Sequence, residues 1–265
     1  MNREDVDKCL MARCVVGSTS LGLNGPDSDI DEMGLCVEPL QEAIGIGNPF
    51  EQWTSPTEDV TIYSLRKWCR LVLKGNPTVM ALLWIPPHFQ LQGDARFSQL
   101  QELAPHFVSR NAGRAYLGYM QAQRMRMTGE RGHGRHGHPR SELVEQFGFD
   151  TKYAMHMLRL GFQGVELQQT GRLSFPIPEP TRHYLLDVRT GRISFQDCLT
   201  QAGELEGELK DLISSGPLPD MPDVGVVEGW MCKTYLRWWY ATRTLQDHHE
   251  DYHTLGRGAF EALDL

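Results

Sequence analysis

Residues 15–37 read VVGSTSLGLNGPDSDIDEMGLCV, and their spacing decides how the first part of the chain folds. Val15 and Val16 end an apolar run that suits a strand. Gly17 turns the chain and Ser18 opens a short helical turn. Asn24, Gly25 and Pro26 form a loop, because Gly and Asn accept unusual dihedrals and Pro cannot extend a strand. Ser28 to Val37 then alternates as a second strand. Side chains two apart on a strand share a face. Asp29 and Asp31 are therefore expected to point one way, with Ile30 pointing into the protein.

Two carboxylates on one strand face repel each other unless a cation compensates them. Mg²⁺ prefers carboxylate oxygens together with substrate phosphates. Two such ions, roughly 3.5–4 Å apart, clamp both oxygens of a phosphoryl-type displacement. Free backbone N–H groups at a helix start attract phosphate. Ser18 as a helix cap and Ser18 as a phosphate ligand use the same N–H groups, so both readings hold together. The expectation is a triphosphate held by the turn at one end and by metals at the other.

The G-S turn followed by S-D-I-D resembles the signature of the DNA polymerase beta superfamily of nucleotidyltransferases. Gly17, Ser18, Gly22, Ser28, Asp29 and Asp31 all fall where that pattern places them. Further segments are similar to the predicted nucleotidyltransferase family of bacterial and phage RNA-repair operons. These are GLNGPDSDID (22–31), IYSLRKW (62–68), LKGNPTVMALLW (73–84) and FGFDTKYAMHMLRLGFQGVELQQTG (147–171). The resemblance spans roughly residues 12 to 190. Residues 129–140 are an unfamiliar insertion, and Leu21 stands where an aromatic is common.

The resemblance implies an α+β fold, a polymerase-beta-like mixed sheet with helices followed by a mainly helical lobe. It implies two Mg²⁺ (or Mn²⁺) ions on Asp29 and Asp31, and a third carboxylate on a neighbouring strand that favours the acceptor alkoxide. Asp59 is the candidate, at the start of the β-branched run Val60-Thr61-Ile62. Glu58 is the competitor. Gly17, Ser18 and Ser28 would hold the β- and γ-phosphates of an NTP, with an RNA end as the acceptor in repair or tailing. The same motif serves transfer to a protein or small molecule. A non-catalytic nucleotide or RNA sensor is the remaining alternative.

The apolar fraction of 40% is ordinary for a globular chain of 265 residues. No apolar run has the length of a membrane span. The first residues, MNREDVDKCLMARC, carry acids and no apolar signal region, so no signal peptide is expected. Six scattered cysteines (9, 14, 36, 69, 198, 232) contain no C-x-x-C pair and read as reduced thiols of a cytoplasmic protein. The net charge of −8 is uneven: residues 1–59 hold twelve acids and three bases, residues 110–172 ten bases and five acids. Overall acidity opposes indiscriminate nucleic-acid binding, whereas a local basic surface still holds phosphates.

The expected division is a catalytic domain over 1–108 and a mainly helical lobe over 109–265. A helix is expected from Tyr63 to Lys74. Asn76 and Pro77 should cap and open another, through about Trp84. Residues 110–128 form a helix. The stretch 129–140, rich in Gly and His (His133, His136, His138), reads as a mobile basic loop rather than a metal site. From 151 to about 169 the chain reads as helix with Lys152, His156, Arg159 and Gln163 on one polar stripe. That basic stripe is expected to face the cleft and bind nucleotide. Leu173–Pro178 and Tyr184–Arg189 read as short extended pieces, Phe195 to about Leu212 as helix, and Glu228–Leu245 as a closing aromatic helix. The tail from Asp247 to Leu265 is expected to fray. The oligomeric state is not readable from these residues.

Overall fold

The structure, a computed structural model, describes residues 1–26, 28–129 and 139–242. The expectations for the His-bearing part of the 129–140 loop and for the tail lie outside the described residues. Helix α1 (Arg3–Lys8) leads into β1 (Leu10–Val15), α2 (Gly17–Leu21), β2 (Glu32–Cys36) and α3 (Leu40–Ile44). Strands β3 (Gln52–Thr54) and β4 (Val60–Ser64) follow, then α4 (Leu65–Leu73) and α5 (Pro77–Met80), and after two 3-10 turns β5 (Gln90–Gly93). The sheet order is β3-β4-β2-β1-β5. Strands β2 and β4 run parallel and every other pair is antiparallel. The fold is α+β with a mixed sheet.

Strand β2 starts later than its alternation suggests. Val16 N–H donates to the Asp31 carbonyl at 2.8 Å, and Glu32 N–H donates to the Asp59 carbonyl at 2.8 Å. Pairing begins there. Just upstream the chain is drawn into a turn, with Ser28 N–H on the Gly25 carbonyl and Gly25 N–H on Ser28 Oγ. Asp29 and Ile30 therefore precede the strand, and Ile30 is 61% exposed rather than pointing inward. The expected helix from Tyr63 also starts later. Tyr63 and Ser64 finish β4, and Ser64 Oγ caps α4 by accepting from Lys67 N–H. Asn76 caps α5 with Pro77 at its first position, as the sequence implies.

Two short helices, α6 (Ala95–Glu102) and α7 (Ala104–Phe107), connect to the helical part. It comprises α8 (Arg110–Met127), α9 (Ser141–Phe147), α10 (Thr151–Thr170), α11 (Thr181–Arg189), α12 (Phe195–Ser215) and α13 (Val224–Ala241). Helix α10 lies against both α8 and α12. A Cβ on Gly161 would stand 2.9 Å from Leu205 Cδ1, and one on Gly164 3.1 Å from Leu209 and Tyr116. The two glycines thus set how closely the three helices approach. Residues 184–189 belong to α11, not to an extended piece. Leu185 and Val188, three apart, bury one face of it, and the Glu179 carboxylate accepts from His183 N–H in its first turn.

Helix α13 returns to the sheet. Tyr235 OH donates to Glu38 Oε2 at 2.8 Å and Trp239 Nε1 donates to the Glu38 carbonyl at 2.9 Å. Arg66 N–H donates to Tyr235 OH, and Arg96 lies over the Trp238 ring. The aromatic helix is a core element. One hydrophobic cluster runs from β1 through α4, α8 and α10 to α13. Cys9, Cys14, Cys36, Cys69 and Cys198 are buried free thiols. Among the described residues no helix is long and apolar enough to cross a membrane.

Candidate active site

A cleft of about 630 Å³ opens between the C-terminal end of β1, the start of β2 and β4, and helix α10. One wall carries Gly17, Ser18, Ser28, Asp29, Asp31 and Asp59. The opposite wall carries Lys152, His156, Arg159 and Gln163, all from one face of α10. Every residue singled out in the sequence for this chemistry therefore lines one cavity. The two walls come from segments more than 90 residues apart in the chain.

Gly17 shows why the turn needs glycine. Its φ is +64°, and a Cβ built on it would overlap the Asp31 carboxylate. Only a residue without Cβ lets the turn approach Asp31 this closely. Burial raises the Asp31 pKa above the ordinary carboxylate range, and the charges of Asp59 and then Asp29 raise it further, while Lys152 opposes them. Asp59 thus acts on Asp31 from the start of β4. Glu58 lines the cleft as well. Ser28 also reaches the cleft, but its Oγ already accepts from Gly25 N–H at 2.8 Å. A further acid, Glu32, is paired with Arg13.

The opposite wall is cationic with few counter-charges. Arg159 Nη1 donates to Gln163 Oε1 at 2.6 Å, while its enclosed Nε has no partner among the described residues. The outer part of the side chain stays open to the cleft. Burial lowers the pKa of Arg159. His156 is pushed down to about 3 by burial first and then by Arg159, Lys152, Arg140 and Arg189. It is therefore neutral near pH 7, a hydrogen-bonding group within the stripe rather than a cation.

Arg189, at the end of α11, lines the same cleft, as do Leu173 and Phe175. The sequence singles out none of the three, because 173–178 and 184–189 both read as short extended pieces. The i, i+3 spacing of Leu185 and Val188 is the signal that places Arg189 on a helix. The basic surplus of 110–172 divides in the structure. Arg110 and Arg114 pair with Asp220, and Arg124 pairs with Glu206. Arg140 pairs with buried Asp150, which also caps α10. The α10 cations remain for the cleft.

Asp29, Asp31 and Asp59 are hard oxygen donors of the kind that suit Mg²⁺ or Mn²⁺. Their mutual effect on Asp31 fits a site that a cation would relieve. Among the described residues, no three His, Cys, Asp or Glu side chains are gathered tightly enough to form a metal cluster.

Known proteins resemble this chain to differing degrees. An uncharacterised 38.9 kDa protein of the nrdC–mobD intergenic region of Enterobacteria phage T4 is 27% identical over 120 residues. That match covers 40% of this chain and 35% of the phage protein, so the chain spans about a third of that relative's length. The crystal structure of spectinomycin adenyltransferase from Enterococcus faecialis with ATP and spectinomycin aligns with a TM-score of 0.38 at 13% identity. The alignment covers 78% of this chain and 94% of that one. A family of nucleotidyltransferases matches residues 2–228, nearly the whole described length. The chain belongs to the RNA repair pathway DNA polymerase beta family.

Proposed function

We propose that the protein transfers an NMP from an NTP to an acceptor hydroxyl, with an RNA end as the acceptor. The observation that carries this reading is the charge division of one cleft. Carboxylates whose charges act on one another face Arg159, Lys152 and Arg189 across it. A triphosphate fits that field, since its anionic tail can lie on the cationic wall while its α-phosphate meets the acid wall. Asp29, Asp31 and Asp59 would have to draw closer than they stand in the structure to hold two Mg²⁺ or Mn²⁺ ions, which would supply charge neutralisation at the attacking and leaving oxygens.

The chain's own residues then have distinct tasks. Gly17 and Ser18 present backbone N–H groups to the β- and γ-phosphates, and Ser28 closes the turn beside them. Lys152 and Arg159 neutralise the pyrophosphate as it leaves. Neutral His156 donates or accepts a hydrogen bond there. Asp59 would favour the acceptor alkoxide. Residues 1–108 act as the catalytic unit and 109–265 as the lobe that closes the cleft. A cytoplasmic setting, which keeps thiols reduced, suits the five buried free cysteines.

The test is pyrophosphate release with each NTP and Mg²⁺ or Mn²⁺, with and without RNAs bearing 3′-hydroxyl ends. The Asp29→Ala/Asp31→Ala variant is the control. RNA-dependent release that vanishes in the variant supports the reading. Release lost in the variant but indifferent to RNA assigns a protein or small-molecule acceptor. NTP binding without release assigns a sensor.

A further inference from the structure

Helix α4 carries a second cationic surface, outside the cleft. Leu65, Trp68, Cys69 and Val72 bury one side of the helix. Arg66, Arg70 and Lys74 recur at i, i+4 and i+8 on another, with Lys67 beside them. Like charges at this spacing destabilise a helix, so the arrangement works against the element that carries it. Among the described residues, Glu51 is the one carboxylate within salt-bridge distance of these cations, although Arg66 also acts on buried Glu38. Glu51 lies 2.7 Å from Arg70, 3.6 Å from Lys67 and 3.7 Å from Arg66. Arg70 is 53% exposed at its side chain and Arg66 34%. The patch keeps a local positive surplus on a chain whose net charge is −8.

The patch adjoins the cleft by way of edge strand β3. Lys67 Nζ donates to Gln52 Oε1 and sits over the Tyr63 ring. Tyr63 lines the cleft, and so do Thr54 and Ser55 at the far end of β3. The three steps from Gln52 to Ser55 span about 10 Å. A chain of phosphates whose end lies in the cleft would cross that distance and reach α4. The arginines of α8 offer no such surface, because Asp220 and Glu206 already neutralise three of them.

We propose that Arg66, Lys67 and Arg70, with Lys74, form the docking surface for the sugar-phosphate backbone of a single-stranded RNA acceptor, behind its reactive end. This inference rests on the proposed RNA acceptor and names where that RNA is held. The recognition is electrostatic and independent of sequence. Glu51 is its brake, since it competes with the phosphates for the same three cations.

The test measures binding of a fluorescent single-stranded RNA to the full chain across a salt series, beside NTP binding. The Arg66→Ala/Lys67→Ala/Arg70→Ala variant should bind RNA at least tenfold more weakly at low salt. The slope of log K against log salt should fall by about 2, at roughly 0.7 for each phosphate no longer neutralised. NTP binding should stay unchanged. Glu51→Gln should bind RNA more tightly than wild type, a gain that misfolding cannot produce. Equal RNA binding by wild type and the triple variant overturns the inference and leaves the acceptor reading intact. A triple variant that loses polyglutamate but keeps RNA also overturns it, in favour of an acidic protein partner. A wild-type chain that binds no RNA overturns both.

Discussion

Gly17 and Arg159 show how single residues set this site. At Gly17 two costs coincide, a positive φ and the space taken by the Asp31 carboxylate. Gly17→Ala should lose about 1–2 kcal/mol from the backbone alone, lowering Tm. It should also displace Asp31 and abolish pyrophosphate release, measured in the same preparation. At Arg159 the two effects have opposite signs. Its partly buried charge has one neutral hydrogen-bond partner, Gln163, among the described residues, so removing it relieves desolvation. Arg159→Met should therefore keep or raise Tm in the absence of ligand. It should also weaken NTP binding about 10–100-fold, the worth of a hydrogen bond to a charged group. Calorimetry of the apo and NTP-bound protein checks both. A loss of Tm with unchanged affinity would make Arg159 a structural residue.

At the scale of elements, helix α10 separates packing from propensity. Gly161 lies where a Cβ meets Leu205 and Met120, whereas nothing stands within 4 Å of the Cβ position on Gly203 of α12. Gly203→Ala should stabilise by up to about 1 kcal/mol through helix propensity. Gly161→Val should destabilise by about 1–3 kcal/mol, because overpacking wins. Thermal unfolding of the two variants side by side decides it. Caps were legible at this scale. Asn76-Pro77, Asp150 before α10 and Gly171 after it mark helix ends by local chemistry alone. The register of β2 was less legible, because the pattern Ser-Asp-Ile-Asp alternates whether or not a partner strand is present. Pairing from Val16 and Asp59 begins only at Asp31–Glu32, and this leaves Ile30 outside.

Over the whole molecule, the junction between α13 and the sheet turns on one buried acid. Burial pushes Glu38 up to about 7, against the hydrogen bond from Tyr235 and the charge of Arg66. A carboxyl whose pKa is raised by folding is most favourable while protonated. Its contribution is complete below about 4.5, its ordinary value, and is lost as pH rises through about 7. The stability difference between wild type and Glu38→Gln should therefore shift with pH across that window, by a few kcal/mol at most. Denaturant unfolding from pH 4.5 to 8 measures it, and a flat difference would show that Glu38 ionises no differently when folded. Nothing local in Cys36-Val37-Glu38 announces this role. It exists because Tyr235 and Trp239, about 200 residues away, close over it.

The sequence alone determined what short-range chemistry dictates: the G-S turn, the strand-forming run after Asp59, the helix caps and the polar stripe of α10. Each is a matter of dihedral preference or side-chain period within a few residues. The tertiary structure decided the rest. It brought the α10 stripe opposite the aspartates and added Arg189 to the cleft. It paired three of the four α8 arginines with acids and left those of α4 with Glu51 as the one carboxylate in salt-bridge reach. Which cation meets which acid depends on distances between segments far apart in the chain. Coulomb energy and desolvation are set by those distances, and no local pattern of residues encodes them.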